Sequence, residues 1–585
     1  MDLPLKRYWD LLVQYLLPMR GKVSLLAFFI FASIGLKIVN PQIIRYFIDT
    51  AVSGAEDTPL VLAGIAYLIV AFLLQGAGVL ATYLGEDIGW RATNQLRADL
   101  AYHCLKLDMS FHNDHTPGEM IERVDGDVVD IAIFFAQFVI KILGNLLLLI
   151  GILLVLIRED WRVSLALTVY TILALAGLTY LRQIAVPHWK AAREASADLF
   201  GFLEEQLAST EDIRSSGAVP FVMRNLFKFN KVRLDKELKA GLMNIMVVMM
   251  WIILYTLGQA VAIIAGFSLY NNGSLTIGSV FLIITYTDAI FRPLREITNE
   301  IQNLQKAAAG IERVDSLVAL QSKIADNGRN PLPAGPLAVT FDNVTFSYNG
   351  SDNVLENINF TLEPGQVLGL LGRTGSGKTT ITRLLFRLYD AGDGRIHLGL
   401  NGQRTHINKT SLTKLRHCIG MVTQDVQLFR ATVRDNLTFF NKATPDAKIL
   451  AVIEELGLSE WFGNLADGLD TELQSEGASL SAGEAQLLAF TRVFLQDPGL
   501  VILDEASSRL DPATEQLIEA AVDKLLHNRT GVIVAHRLKT VERADQIMIL
   551  KNGRIHEFGP YHQLANDSQS RFYQLLQTGL AEMLV

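Results

Sequence analysis

The sequence predicts a multidomain membrane protein, with a six-helix all-α transmembrane domain followed by an α/β P-loop nucleotide-binding domain. Three observations predict it. Six apolar stretches in the first half are each long enough to cross a bilayer; a glycine-rich loop closing on Gly377, Lys378 and Thr379 follows an apolar strand; and a second apolar strand, Leu500 to Leu503, ends in the adjacent carboxylates Asp504 and Glu505.

At 585 residues the chain is too long for one ordinary core, and with 50% hydrophobic residues and a mean hydropathy of +0.27 it is too apolar for a water-soluble protein. Two domains are expected, one of them in a membrane. A net charge of −8 and a pI near 5.8 leave no excess positive field, which argues against nucleic acid as a partner. Cys104 and Cys418 stand far apart, without metal-ligand or C-x-x-C spacing, and read as reduced structural residues. Charges mixed into the first apolar residues and the lack of a small-residue cleavage site argue against a signal peptide. Instead Tyr8, Trp9, Leu12, Tyr15 and Leu16 recur at helical spacing beside Lys6 and Arg7, the pattern of a helix lying on a membrane surface.

A spanning helix needs about 20 mostly apolar residues. Stretches at roughly 22–47, 59–84, 131–157, 163–184, 241–270 and 275–295 qualify, and six crossings return the chain to its starting side. The connections after the first, third and fifth stretches are short, whereas those after the second and fourth are long and helix-prone. Lys6, Arg7, Arg20 and Lys22, with Arg91, Arg97, Lys106 and Arg123, put the termini and long excursions in the cytoplasm. From Asp326 to Pro336 the sequence turns to Asn, Gly and Pro and reads as a linker. The expected division is a transmembrane domain at 1–322, a linker at 323–336 and a nucleotide-binding domain at 337–585. Within the last, β-rich runs at Val339 to Phe346, Val367 to Leu371, Val501 to Leu503 and Val532 to Ala535 alternate with helical patterns, the signature of a largely parallel sheet.

The chemistry sits there. Gly372, Arg373, Thr374, Gly375, Ser376, Gly377, Lys378 and Thr379, continued by Thr380, fit G-x-x-x-x-G-K-[ST] behind the strand Val367 to Leu371. Glycines let backbone N–H groups close around phosphate at a helix N-terminus. Lys378 is then expected to reach the β- and γ-phosphates of ATP, and the Thr379 hydroxyl to ligate Mg²⁺. An unrelated glycine turn would lack the strand before it and the carboxylates after it. Asp504 is placed to hold Mg²⁺ and Glu505 to orient or deprotonate the attacking water. Two acids could also mark a solvated turn, but four preceding apolar residues point to a buried central strand.

Leu480, Ser481, Ala482, Gly483 and Glu484 resemble the LSGGQ signature of ATP-binding cassette (ABC) proteins. The order P-loop, Gln424, signature, Asp504 and Glu505, then His536 is that family's order, and six membrane segments before one cassette are similar to a half-transporter of the ABC exporter family over nearly the whole chain. The resemblance implies ATP-driven export by alternating access, in the manner of bacterial multidrug and lipid exporters. It implies that Tyr348 stacks on adenine, that Gln424 couples the metal site to the membrane domain, that His536 contacts the γ-phosphate, and that Asp511 lies in the loop crossing to a partner cassette. It further implies that Ser481, Ala482, Gly483 and Glu484 meet ATP held by the other cassette, so the working unit is a dimer. The tips Ser110 to Arg123 and Ser209 to Val219, with Phe111, Gly118, Glu211, Asp212 and Arg214, would be coupling helices.

This chain departs from the family pattern in three places. Ala482 replaces a usual Gly, Glu484 a usual Gln, and Arg509 a small residue. A methyl group and a carboxylate near a polyanion both weaken the grip on phosphate. With Glu505 and His536 intact, the combination is that of one half of a heterodimer, although a homodimer could tolerate both changes. Lys37, Lys141, Asp288 and Arg292 lie in or beside apolar runs and are candidates for the transport pathway. Lys141 could instead snorkel to an interface, and Asp288 with Arg292 could form an i, i+4 pair. A lipid flippase or peptide exporter on the same scaffold, or a nucleotide-gated channel-like regulator, is the alternative to a small-molecule pump.

Overall fold

Apolar runs unbroken by turn residues become helices far longer than those of a globular domain. In chain order these are α1 (Arg20–Val52), α2 (Asp57–Lys106), the short α3 (Met109–Asp114), α4 (Gly144–Glu159), α5 (Trp161–Ala208), the short α6 (Thr210–Ser215), α7 (Val219–Asn271) and α8 (Ile277–Ala319). The computed structural model describes residues 10, 13–54, 56–400, 402–423, 426–474, 480–504, 512–535 and 538–578. They divide into two units, one of Met1–Leu105 with Pro117–Leu320, the other of Lys106–Thr116 with Gln321–Val585.

Among the described residues of the first unit, six helices are long and apolar enough to cross a membrane, as the sequence predicts. The third includes Lys141–Glu159, in a helical run that Phe138–Leu143 and Asp127–Gln137 extend toward the N-terminus. Two π-helical stretches, Glu122–Gly126 and Phe138–Leu143, interrupt the regular turn on either side of the helix Asp127–Gln137. Of the expected surface helix, Tyr8, Trp9 and Leu12 lie outside the described residues; Pro18 sits in a 3₁₀ turn, Leu17–Met19, that leads into α1.

The bundle core joins α4, α5, α7 and α8 through Ile152, Leu156, Leu167, Ala262, Leu282 and Ile290. Long-range polar contacts supplement it. Asp49 on α1 accepts from the Gly278 amide at 2.9 Å and the Thr276 hydroxyl at 2.8 Å. A Cβ on Gly278 would come within 2.6 Å of the Arg45 carbonyl, so only glycine permits this approach of α8 to α1. Arg45 pairs with Glu159, and Arg313 forks onto the buried Asp127. The fully buried Tyr286 donates to the Ile38 carbonyl at 2.7 Å and accepts from Gln42 at 3.2 Å.

The second unit holds strands β1 (Ala338–Phe346), β2 (Leu355–Leu362), β3 (Val367–Gly372), β4 (Asp393–Leu400), β5 (Gln403–His406), β6 (Ile419–Val422), β7 (Leu500–Asp504), β8 (Thr530–Val534), β9 (Gln546–Lys551) and β10 (Arg554–Pro560). One sheet is antiparallel in the order β2-β1-β4-β5. The other runs β10-β9-β3-β8-β7-β6, parallel throughout except for β10. Strands covered on both faces read as continuous apolar runs, and β3, β7 and β8 do. Helices α9 (Lys378–Leu385), α10 (Ala482–Gln496) and α11 (Pro512–Leu526) belong to this unit.

The stretch read as a linker forms neither helix nor strand, yet it is tied down. Asp326 accepts from the Leu412 amide at 2.8 Å, the Asn330 amide donates to Lys409 at 2.9 Å, and buried Arg387 donates to the Ala325 carbonyl at 2.9 Å. Helix α3 also packs in this unit: Asp108 caps it and accepts from the Lys323 amide at 2.6 Å, while Asn113 donates to the Tyr389 hydroxyl at 2.6 Å. Burial works to raise the Asp108 carboxyl, but bonds from Lys323, Phe111 and Ser110 outweigh it and hold the group below the usual carboxylate range.

Removing the Tyr286 hydroxyl in Tyr286→Phe leaves Gln42 without its partner and is expected to cost about 0.5–2 kcal/mol, the range for polar contacts between membrane helices. A lower midpoint of thermal unfolding in detergent checks this, and an unchanged midpoint contradicts it.

Candidate functional site

The parallel sheet sets the site. Leu370 of β3, Val534 of β8 and Asp504 of β7 stand abreast in consecutive pairings. With strands about 4.8 Å apart, Asp504 lies two strand spacings from β3, at the sheet edge where the glycine loop begins. Loops at the carboxyl ends of parallel strands are where such folds bind ligands.

Gly372, Gly375 and Gly377 take φ values of 152°, 79° and 104°, which favour glycine. A Cβ on Gly372 would meet Ser376 Oγ at 2.5 Å and the Leu550 carbonyl at 2.6 Å, and one on Gly377 would meet Leu355 at 2.5 Å. The loop closes on itself: buried Lys378 donates to the carbonyls of Gly372 at 2.7 Å and Arg373 at 3.2 Å. Ser376 Oγ is buried without a hydrogen-bond partner among the described residues. A cradle with an orphaned hydroxyl, an ammonium held by backbone carbonyls and a helix N-terminus at Lys378 fits an anionic phosphate. Arg373, Thr374, Gly375 and Thr379 are exposed at its mouth, and Thr380 is buried beneath it.

Tyr348 is half-buried beside this loop. Its hydroxyl shares a 3.1 Å bond with Thr380 Oγ1 and accepts from Arg383 at 3.3 Å, and its ring stands edge-on to Phe346 and Tyr389. Burial pushes the Tyr389 hydroxyl up. Arg383 and Tyr389 were not singled out from the sequence, because no motif spans them.

The signature region starts α10. Ser481 is its N-cap and Glu484 closes a capping box: the Glu484 carboxylate accepts from the Ser481 amide at 2.7 Å and from its hydroxyl at 2.8 Å, while Ser481 Oγ accepts from the Glu484 amide at 3.3 Å. Ala482 is exposed and Gly483 buried. The Ser481 amide and hydroxyl and the Glu484 amide are thus met from within the chain.

Farther along α10, Arg492 donates to the carbonyls of Asn436 at 2.7 Å and Gln427 at 3.0 Å and to the Asn436 side chain at 3.1 Å, with its guanidinium 4.8 Å from the Phe439 ring. Burial brings it down to about 10, which leaves it cationic at neutral pH. Its only sequence signal is a single charge between Thr491 and Val493 in an otherwise apolar run. Gln424, Glu505, Arg509, Asp511 and His536 lie outside the described residues. No group of three or more metal-ligating side chains occurs among the described residues.

The profile of the ABC transporter transmembrane region matches residues 23–294, and that of the ABC transporter matches 355–508. The Bacillus subtilis (strain 168) protein described as "Uncharacterized ABC transporter ATP-binding protein YknV" is 30% identical over 564 residues, covering 95% of this chain and 92% of that one. The chain belongs to the ABC transporter family. The transporter is also 28% identical to the "ATP-dependent lipid A-core flippase" of Idiomarina loihiensis, covering 89% of each chain. In three dimensions it resembles a bacterial Atm1-family ABC exporter solved with ATP bound, with a TM-score of 0.76 at 25% identity, covering 97% of this chain and 98% of the other. It is therefore an integral membrane protein on an exporter scaffold, with an ATPase cassette coupled to transport.

Arg492→Met should leave the Asn436 and Gln427 carbonyls unpaired and cost about 1–3 kcal/mol. Thermal unfolding of the transporter reads this as a lower midpoint, recovered only in part by Arg492→Lys, whose ammonium lacks the planar fork.

Proposed function

We propose that this transporter exports a small apolar or amphipathic molecule across the cytoplasmic (inner) membrane, by alternating access, as one subunit of a dimer. The observation that carries the reading is the glycine cradle, with its buried Lys378 and orphaned Ser376 hydroxyl, at the sheet edge that also carries Asp504. In this reading residues 1–322 form the membrane domain, 323–336 the linker and 337–585 the cassette, with both termini in the cytoplasm.

ATP enters the loop 372–379, where Lys378 exchanges its two carbonyl partners for phosphate oxygens and Ser376 gains a partner. Tyr348 turns its face to adenine. Thr379, Asp504 and Gln424 would hold Mg²⁺, which neutralises phosphate charge when bound. Glu505 orients and deprotonates the attacking water, and His536 contacts the γ-phosphate. A second subunit brings Ser481 to Glu484 of its own cassette onto this nucleotide, with Asp511 at the crossing. Closure of the two cassettes moves the coupling segments near Phe111 and Arg214 and turns the cavity outward; hydrolysis resets it.

The second subunit is a different polypeptide in our reading. At the start of α10 the Ser481 hydroxyl and amide already hold the Glu484 carboxylate. A γ-phosphate arriving there must displace an anion that the chain itself supplies, which suits a signature facing a degenerate partner site. A partner copurified from the native membrane and lacking a glutamate at the position that corresponds to Glu505 supports this. Full-rate hydrolysis by a single polypeptide at two equivalent sites overturns it. A lipid cargo is the second reading, supported by the resemblance to a lipid A-core flippase.

Two outcomes follow from these roles. Glu505→Gln should bind ATP and close the dimer while turnover falls about 100-fold, the scale of a lost general base; near-normal turnover removes Glu505 from that role. Glu484→Gln keeps an acceptor for the cap but removes its charge. It should lower the ATP concentration needed for closure about tenfold, worth ~1.4 kcal/mol, measured in the Glu505→Gln background. An unchanged ATP dependence means that Glu484 does not oppose the phosphate.

A further inference from the structure

The sixth spanning helix carries charge on its open side. Asp288, Arg292 and Arg295 on α8 follow at steps of four and three residues, which aligns them on one stripe, and all three are exposed. Otherwise this is the most enclosed of the six spans, with 56% of its apolar window buried. Lys37 of α1 joins the stripe. Helices α1 and α8 run antiparallel, with Asp49 meeting Gly278 and Gln42 meeting Tyr286, so the register brings Lys37 to the level of Arg292. The two cations act on each other electrostatically. Each lies fifteen residues from the end of its helix at Val52 or Ile277, about 22 Å at 1.5 Å per residue, which is within a hydrocarbon layer of about 30 Å.

Several other charges of the bundle are satisfied within it. Arg45 pairs with Glu159, Lys141 with Glu300 at 3.1 Å, and Asp288 accepts from the Tyr255 hydroxyl at 3.1 Å rather than pairing with Arg292. Lys37, Arg292 and Arg295 have no ion-pair or hydrogen-bond partner among the described residues. Cations facing hydrocarbon at this depth are strongly disfavoured, so they face water or an anion. Lys37, Arg292 and Arg295 against Asp288 and Glu296, four residues beyond Arg292, leave the stripe with one net positive charge, and Phe281, seven residues from Asp288, extends it as an apolar surface.

We propose that Lys37, Arg292 and Arg295 bind the anionic headgroup, phosphate or carboxylate, of an amphiphilic cargo whose chain lies along the apolar part of the same face. This rests on the exporter reading and narrows its cargo class. Charge complementarity selects the anion, and the surrounding apolar helix surface selects an amphiphile over a free ion.

The test uses the full-length transporter in a non-ionic detergent, with dodecyl phosphate, dodecanoate, dodecyltrimethylammonium and inorganic phosphate as calorimetric probes. Dodecyl phosphate and dodecanoate should bind and dodecyltrimethylammonium should not. Lys37→Gln and Arg292→Gln should each weaken dodecyl phosphate about tenfold or more, the scale of one charge-assisted bond, while Arg292→Lys retains most of the affinity. Binding indifferent to both Gln variants overturns the site. So does equal competition by inorganic phosphate, which marks a free-anion site, or dissociation of the dimer by either variant, which marks a partner carboxylate as the true neighbour. ATP turnover is measured on the same wild-type preparation: its absence overturns the pump reading, whereas turnover with unaltered anion binding overturns this proposal alone.

Discussion

The parallel pairing of β3, β8 and β7 is the constraint on which the cassette's chemistry depends. Leu368, Leu370, Ile502, Val532 and Val534 are fully buried between the layers, and their pairings hold Leu370, Val534 and Asp504 side by side. Strand side chains alternate with a period of two, so a slip of one residue in β7 would carry Asp504 to the opposite face and put an apolar residue in its place. The apolar strand interiors thus leave a single place for charge, the strand tips. There the glycine loop and Asp504 converge without being neighbours in sequence.

That convergence explains what could be read from the sequence and what could not. The glycine loop was legible because its requirements are local: left-handed φ at Gly375 and Gly377, a close approach at Gly372, and a lysine at the helix start. The crossings were legible because a bilayer demands length and apolarity of each one separately. Lys141 looked unpaired because Glu300 is 159 positions away, and Arg492 looked unremarked because its acceptors are backbone carbonyls of another segment. The stretch 326–336 read as a free linker from its Asn, Gly and Pro content, yet Asp326 and Asn330 use that same turn chemistry to fasten it. Local signals foretell local geometry; long-range pairing leaves no trace in composition.

The Ser481–Glu484 box joins both kinds of information. Serine followed three residues later by glutamate at a helix start is a capping signature in its own right, while the same four residues overlap a segment that resembles a phosphate-binding signature. Both uses draw on the Ser481 hydroxyl and neighbouring amide groups, and one set of donors serves only one anion at a time. A cap of this kind contributes about 0.5–2 kcal/mol, and a carboxylate in the first turn adds about 0.3–1 kcal/mol through the helix dipole. Competition of that size lowers phosphate affinity by roughly one to two powers of ten. Under the proposed function that is too little to abolish a phosphate site and enough to weaken it, since the amide of Gly483 lies outside the box. Without nucleotide, the same bonds keep the start of α10 ordered. In the proposed function, attenuation and order are therefore two consequences of one carboxylate.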